Sequence, residues 1–167
     1  MNDSTGVVAQ FREALADCKR LYIQAAQASL SDHPDADETT RQNMIRRMVD
    51  LHKGLLMKIY ASIAVAESRW SRSERMLACE LIDHIWQRRL EGSELRDVTR
   101  RMFQDAGRMN LYSLVRPFDQ VIKIRDMSAD LQTVVMRIAN LVAKSDGTVT
   151  SEETAALHSL QSEIEVH

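Results

Sequence analysis

The sequence predicts an all-α protein of about seven helices, and three observations predict it. Glycine and proline are scarce, at five and two residues in 167, whereas a fold of short strands needs turn residues about every 8–12 positions. Apolar residues recur at three- and four-residue spacing in long segments, as in amphipathic helices. They make up 44% of the chain, which suffices for a packed core. We therefore expect one compact helical domain overall.

The first predicted helix begins near the N-terminus and runs to about Leu30. Its apolar residues have helical spacing and include Val7, Phe11, Leu15, Cys18 and Tyr22. The segment 31–37 interrupts the pattern, because Pro34 lacks a backbone donor and disfavours helix in the residue before it. We therefore divide the chain into an N-terminal helix and loop, 1–37, and a main helical region, 38–167.

Two helices follow this loop. The helical period resumes at Glu38 and continues to Ala66, which makes this the longest predicted helix. Ser71 and Glu74 have the spacing of a capping box, in which each residue bonds the backbone amide of the other. They predict the start of a third helix, whose apolar face includes Trp86.

Turn and cap residues mark the remaining helices. The segment 91–93 caps a fourth helix that is expected to end at Gly107. A short helix is expected around 114–124. The last two helices are predicted to open at Ser128 and at 150–153, where Ser, Thr and Glu provide cap residues.

The sequence contains an internal repeat of two copies. The segment from Met57 to Ile85 matches the segment from Met136 to Ile164 without a gap, at an offset of 79 residues. Two copies are too few for a solenoid. We therefore expect two helix-loop-helix units related by a pseudo-twofold axis, which should superpose. The coinciding pairs include Met57 with Met136, Ile59 with Ile138, Ala64 with Ala143, Ser71 with Thr150, Glu74 with Glu153 and Leu81 with Leu160.

The loop of the second copy overlaps the latter part of a calcium-binding EF-hand loop. An EF-hand needs oxygen ligands at its first and third positions. This chain places Val142 and Lys144 there, an apolar side chain and a cation. Coordination chemistry therefore excludes a true EF-hand.

With the pattern Ala143-x-x-Asp146-Gly147-x-Val149-Thr150-x-x-Glu153, the chain resembles the TerB-like family, which is named for a tellurite-resistance protein and includes the N-terminal domain of the co-chaperone DjlA. The resemblance spans about 50–165, and the first loop departs from the pattern at Glu67, Ser68 and Trp70. It implies an all-helical fold and a role in stress-response, chaperone or membrane-associated assemblies. Family members usually bind another molecule, and some are suspected metal binders.

The acidic residues of the two loops support two interpretations. Asp146 and Glu153, together with Glu67 and Glu74 if the repeats face each other, are candidate ligands for a divalent cation. Alternatively, Glu74 and Glu153 cap helices, because each follows a Ser or Thr by three residues. In that interpretation Gly147 supplies a positive φ for the turn.

Motifs for catalysis and for zinc are missing from the sequence. No two of the five histidines have the four-residue spacing of a helical zinc site, and the two cysteines form no Cys-x-x-Cys. There is neither a nucleophile–base motif nor a glycine-rich phosphate loop. We therefore expect that the protein is not an enzyme. The one candidate cofactor is a divalent cation.

Charge is unevenly distributed, although the net charge is only −2. Residues 69–125 hold twelve basic and eight acidic side chains, and residues 126–167 hold two and seven. Arg89, Arg96 and Arg100 recur at seven and four positions and predict a stripe for an acidic partner, unless acidic neighbours make it a solvated face. Few aromatic residues accompany these arginines, so we expect no nucleic-acid binding.

The N-terminal helix carries apolar residues that do not fit a single stripe. Leu21 and Leu30 fall away from the face formed by Phe11, Leu15 and Tyr22. We therefore expect them to contact a partner, either a second copy or another protein. The chain has no signal peptide and no apolar run long enough to insert into a membrane, and we expect a cytoplasmic location.

These features favour a non-enzymatic TerB-like module for protein interaction or regulation, acting with a chaperone or an ATPase. The alternative is a stress protein, related in function to tellurite resistance, that binds a divalent metal through the acidic loops.

Overall fold

The computed structural model describes residues 4–64, 71–111, 113–115, 125–145 and 147–165. These residues form seven helices and no strand, which confirms the predicted all-α class. None of the described helices is long and apolar enough to cross a membrane. The helices are α1 (Ser4–Ser31), α2 (Glu38–Ala64), α3 (Arg72–Trp86), α4 (Gly92–Gly107), α5 with described residues 111 and 113–115, α6 (Arg125–Ala143) and α7 (Ser151–Glu165).

Two helix boundaries differ from the predicted ones. Helix α6 is already helical at Arg125, the first residue described after 116–124, about one turn before the expected cap at Ser128. Helical residues of α5 begin at Leu111, earlier than the expected 114–124 helix. Residues 116–124 of that expected helix lie outside the described part of the chain.

The core forms where the long helices meet. Helices α2 and α6 pack on each other, and α1 packs along both of them and along α3. Helix α4 packs on α2, where the rings of Tyr60 and Phe103 stack with centroids 5.9 Å apart. Helix α7 packs on α6 and α2. The two central helices therefore carry contacts from both halves of the chain.

Helix α1 belongs to this core. Phe11 and Leu15 are buried, and the buried Tyr22 donates a hydrogen bond of 2.8 Å to the carbonyl of Leu114. Leu21 and Leu30 are also buried, at 7% and 6% exposure. The expectation that they face outward is wrong, because a helix that packs on three neighbours buries more than one stripe.

The starts of α3 and α7 follow the predicted repeat. Helix α3 begins at Arg72 and α7 at Ser151, and these positions differ by the offset of 79. The first loop, residues 65–70, lies outside the described residues. The described parts of the two units therefore agree in register.

The second loop contains the positive φ that was predicted. Gly147 has a φ of +88°, and its amide donates to the carbonyl of Lys144. This backbone conformation is open to glycine and strained for residues with a Cβ. The turn that joins α6 to α7 therefore depends on glycine at this position.

Replacing Gly147 by valine is expected to lower the free energy of unfolding by about 1–2 kcal/mol. A side chain built there meets no atom within 4 Å, so the cost comes from the backbone and not from crowding. Urea denaturation followed by circular dichroism measures the change. The control is Gly107→Val, at another uncrowded glycine without a positive φ. Equal stability of the two variants would contradict the conclusion that the positive φ at position 147 requires glycine.

Candidate functional site

The acidic residues of the two units form helix caps. In the first unit, the Glu74 amide donates to Ser71 Oγ at 3.1 Å, and the Ser71 amide donates to Glu74 Oε1 at 3.3 Å. In the second unit, the Glu153 amide donates to Thr150 Oγ1 and the Thr150 amide donates to Glu153 Oε1, both at 3.1 Å. Both carboxyl groups are buried. The capping interpretation of Glu74 and Glu153 is confirmed.

The remaining metal candidates, Asp146 and Glu67, lie outside the described residues. Among the residues that the structure describes, no three His, Cys, Asp or Glu side chains converge as metal ligands would. No described contact therefore favours the divalent-cation hypothesis for Glu74 and Glu153 over their role in the caps.

Arg89 belongs to an ion-pair network around the buried carboxylate of Glu80. Glu80, at 5% exposure, accepts hydrogen bonds from Arg12 Nε at 2.6 Å and from Arg89 Nη2 at 2.8 Å. Burial alone would raise the pKa of Glu80, but the hydrogen bonds from the two arginines hold it at about 2. Arg89 also pairs with Asp83 at 3.4 Å. Its guanidinium thus ties the α3–α4 connection to α3.

The predicted arginine stripe does not include Arg89. Arg89 lies between α3 and α4 and not in a helix, so its spacing of seven residues from Arg96 does not place the two on one face. Arg96 and Arg100 lie one turn apart on α4, and both are exposed. Of the three predicted arginines, Arg96 and Arg100 therefore share a helix face.

A cleft of about 350 Å³ opens between α3 and α4. Both helices are joined by the short segment 87–91, which starts with Gln87 in the left-handed region at a φ of 56°. Ile82, Leu90 and Met102 form an apolar floor and are themselves buried. The cleft therefore offers an apolar surface that the described residues leave open.

The rim of this α3–α4 cleft combines an aromatic side chain with cations. Trp86 is 46% exposed, although the sequence pattern places it on the apolar face of α3. Arg88 and Arg101 flank it, and Asp105 lies at the same rim. Arg88 pairs with Glu94 at 2.8 Å, between two exposed side chains, which is a weak surface contact.

A second cleft, of about 520 Å³, lies between α2 and α7. Lys58 and Ser62 of α2 form one wall, and Ser159 and Glu163 of α7 form the other. The segment that connects α4 to α5 closes one end. Lys58 Nζ donates to the carbonyl of Ala106 at 3.0 Å, which keeps the ammonium group at the edge of the cleft. We refer to this feature as the α2–α7 cleft.

Two histidines that are far apart in sequence meet inside the protein. His52 Nε2 of α2 and His84 Nε2 of α3 are 3.0 Å apart, and His52 Nδ1 bonds the carbonyl of Val49. Because a carbonyl can only accept, His52 donates through Nδ1 and accepts at Nε2 from His84. Burial lowers the pKa of His52 to about 4. No local spacing indicates this pair, so only the packing of α3 on α2 reveals it.

Comparisons with protein-family models, with curated proteins and with solved structures find no match for this chain.

Proposed function

We propose that this protein is a non-enzymatic protein-interaction module whose α3–α4 cleft binds a partner segment with one large apolar side chain flanked by acidic residues. The exposed Trp86 carries this proposal. Trp86 and Val149 are the large apolar side chains that are exposed among the described residues, and Trp86 stands beside an apolar cleft. Tryptophan and arginine are enriched among the residues that dominate binding energy at protein interfaces.

The shape and charge of the cleft support this partner chemistry. Its apolar floor can receive an aliphatic or aromatic side chain and exclude water from it. Arg88, Arg101 and Asp105 line the cleft, and Arg88 also pairs with Glu94. An acidic partner residue can pair with Arg101 and can replace Glu94 at Arg88, because that surface contact is weak, in addition to the apolar contact.

The proposed setting is the one that the TerB-like resemblance implies. We propose that the module acts in a stress-response assembly with a chaperone or an ATPase, and that self-association is a further mode of binding.

A peptide-display experiment tests the α3–α4 cleft directly. The full-length protein is used to select binders from a library of random peptides, and the enriched peptides are then measured by fluorescence anisotropy. We expect them to carry one large apolar residue with neighbouring Asp or Glu. We expect Trp86→Ala to weaken their binding roughly tenfold or more, as for a residue that dominates an interface.

The matched control is Val149→Ala, which removes an exposed apolar side chain outside the cleft. This variant should bind the same peptides as the wild type does. Enriched peptides without acidic residues would refute the proposed partner chemistry. Binding that survives Trp86→Ala unchanged would refute the proposed site.

A further inference from the structure

The segment 87–91, which connects α3 to α4, contributes to the wall of the α3–α4 cleft. Arg88 and Leu90 of this segment line the cleft, whereas Arg89 between them does not. The segment is not helical, and its last residue, Glu91, has extended backbone angles, with φ −140° and ψ 162°. Successive side chains of an extended chain point to opposite sides. Such alternation accounts for an arginine that points away from the cleft that its two neighbours line.

Arg89 is bound on a different side of α3. Its Nη2 donates to Glu80 Oε1 at 2.8 Å, and its Nη1 donates to Asp83 Oδ2 at 3.4 Å. Ile82 is the residue of α3 that lies in the floor of the cleft. Because Glu80 and Ile82 are two positions apart, they lie about 200° apart around the helix. Arg89 therefore reaches a face of α3 that the cleft does not use.

The bond to Glu80 is a strong contact between this segment and α3. Glu80 is 5% exposed and belongs to the body of the helix, so its carboxylate has a fixed position. A hydrogen bond between two charged groups is about twice as strong as one between neutral groups. The carbonyl of Leu90 also accepts a bond from Cys79 Sγ at 3.5 Å, but a thiol is a weak donor. The segment is therefore held on α3 chiefly through Arg89.

We propose that Arg89 is the positioning residue of the α3–α4 cleft: its ion pair with Glu80 holds residues 88–90 on α3, so that Arg88 and Leu90 face the cleft. This inference rests on the function proposed for the cleft. Arg89 acts through its two neighbours and does not itself touch the partner segment.

Holding the segment matters because Leu90 belongs to the apolar floor and Arg88 to the rim. If residues 88–90 moved away from α3, both side chains would leave the cleft together. A site that is formed for only part of the time has an apparent affinity that is lower by the fraction of time in which it is formed. Arg89 therefore raises the affinity by keeping the cleft formed before the partner arrives.

Measurements of backbone motion test the proposal without any ligand. The variant Arg89→Met keeps a long apolar side chain but removes the charge that pairs with Glu80. NMR relaxation of the full-length protein should give order parameters of about 0.85 for residues 88–90, as for rigid backbone, and values toward about 0.6 in Arg89→Met. Arg89→Lys keeps a cation that can bond to Glu80, so it should keep the order parameters of the wild type.

The same variants are then tested for binding. The probes are the peptides that the display experiment enriches with the wild-type protein, measured by fluorescence anisotropy. We expect Arg89→Met to weaken their binding roughly fivefold or more, because the cleft is then formed for a smaller fraction of the time. Arg89→Lys should restore most of the affinity.

The matched control is Arg12→Met, which removes the other ion pair of the same carboxylate. Arg12 of α1 donates to Glu80 at 2.6 Å and 2.9 Å, and the side chains of Arg12 and Arg89 are similarly exposed, at 58% and 51%. If the pairs with Glu80 served only overall stability, both variants would affect binding alike. The positioning role predicts that Arg12→Met changes neither the affinity nor the order parameters of residues 88–90.

Three results would overturn the proposal. The first is unchanged motion of residues 88–90 in Arg89→Met, whatever the peptides do. The second is greater motion without a loss of affinity, and the third is an equal loss of affinity in Arg12→Met. Peptide binding that is insensitive to Trp86→Ala would instead refute the proposed function, and the order parameters would still decide whether Arg89 holds the segment.

Discussion

Replacing Phe11 by alanine is expected to lower the free energy of unfolding by about 3–5 kcal/mol. Phe11 is fully buried on the face of α1 that packs into the core, so the substitution loses apolar burial and leaves a cavity. A loss of this size is a large part of the total stability of a typical domain. Urea denaturation followed by circular dichroism at neutral pH measures the difference.

The adjacent substitution Gln10→Ala is the control, because Gln10 is exposed on the same helix. It should change stability by no more than about 0.5 kcal/mol. A Phe11→Ala variant as stable as Gln10→Ala would show that α1 does not contribute to the core.

Lowering the pH from about 6.5 to 4 is expected to cost about 2–3 kcal/mol of stability through His52. Burial lowers the pKa of His52 to about 4 in the folded protein, against 6.5 for the unfolded chain. The unfolded chain therefore binds the proton first. The stabilisation is complete above pH 6.5 and is lost as the pH falls toward 4.

Three titratable groups near His52, among the residues that the structure describes, oppose a positive charge on its ring. His84 of α3, Lys19 of α1 and Lys53 of α2 all oppose a positive charge there, whereas the carbonyl of Val49 favours it. Protonation would also remove the acceptor at Nε2 that receives the hydrogen bond from His84. The buried pair is therefore stable only while it is neutral.

Chemical denaturation at a series of pH values tests this prediction with the variant His52→Gln. The variant should be less stable at pH 7, and its stability should depend less on pH between 6.5 and 4. Glu80 provides an internal reference, since its pKa of about 2 makes its stabilisation fall at lower pH, from about 4.5 downward. An unchanged slope between pH 6.5 and 4 in His52→Gln would show that another group titrates there.

Much of the helical architecture is predictable from local patterns. The capping boxes at Ser71 and Thr150 are confirmed because a cap depends on residues within one turn of each other. The positive φ of Gly147 is predictable for the same reason, as the turn needs a residue without a Cβ. Helices α3 and α7 begin at equivalent positions of the repeat because both copies keep the same capping residues.

Predictions from the sequence are wrong for residues whose burial or helix face depends on the neighbouring helices. Periodicity predicts an interface at Leu21 and Leu30 because they fall outside a single apolar stripe, but α1 has three neighbours and buries them. Spacing predicts that Arg89 and Arg96 share one helix face, but α3 ends at Trp86 and the chain turns between them. Periodicity describes one helix at a time and contains no information about its neighbours.

By itself, the sequence determined the helical class, the two repeated units and the caps that begin α3 and α7, because each depends on residues that are close in the chain. The tertiary structure decided the rest. It joined His52 to His84 across 32 positions, paired Glu80 with Arg12 of α1, and left Trp86 exposed beside a cleft. These features depend on how the helices pack, since contacts between distant residues form only when the whole chain is folded.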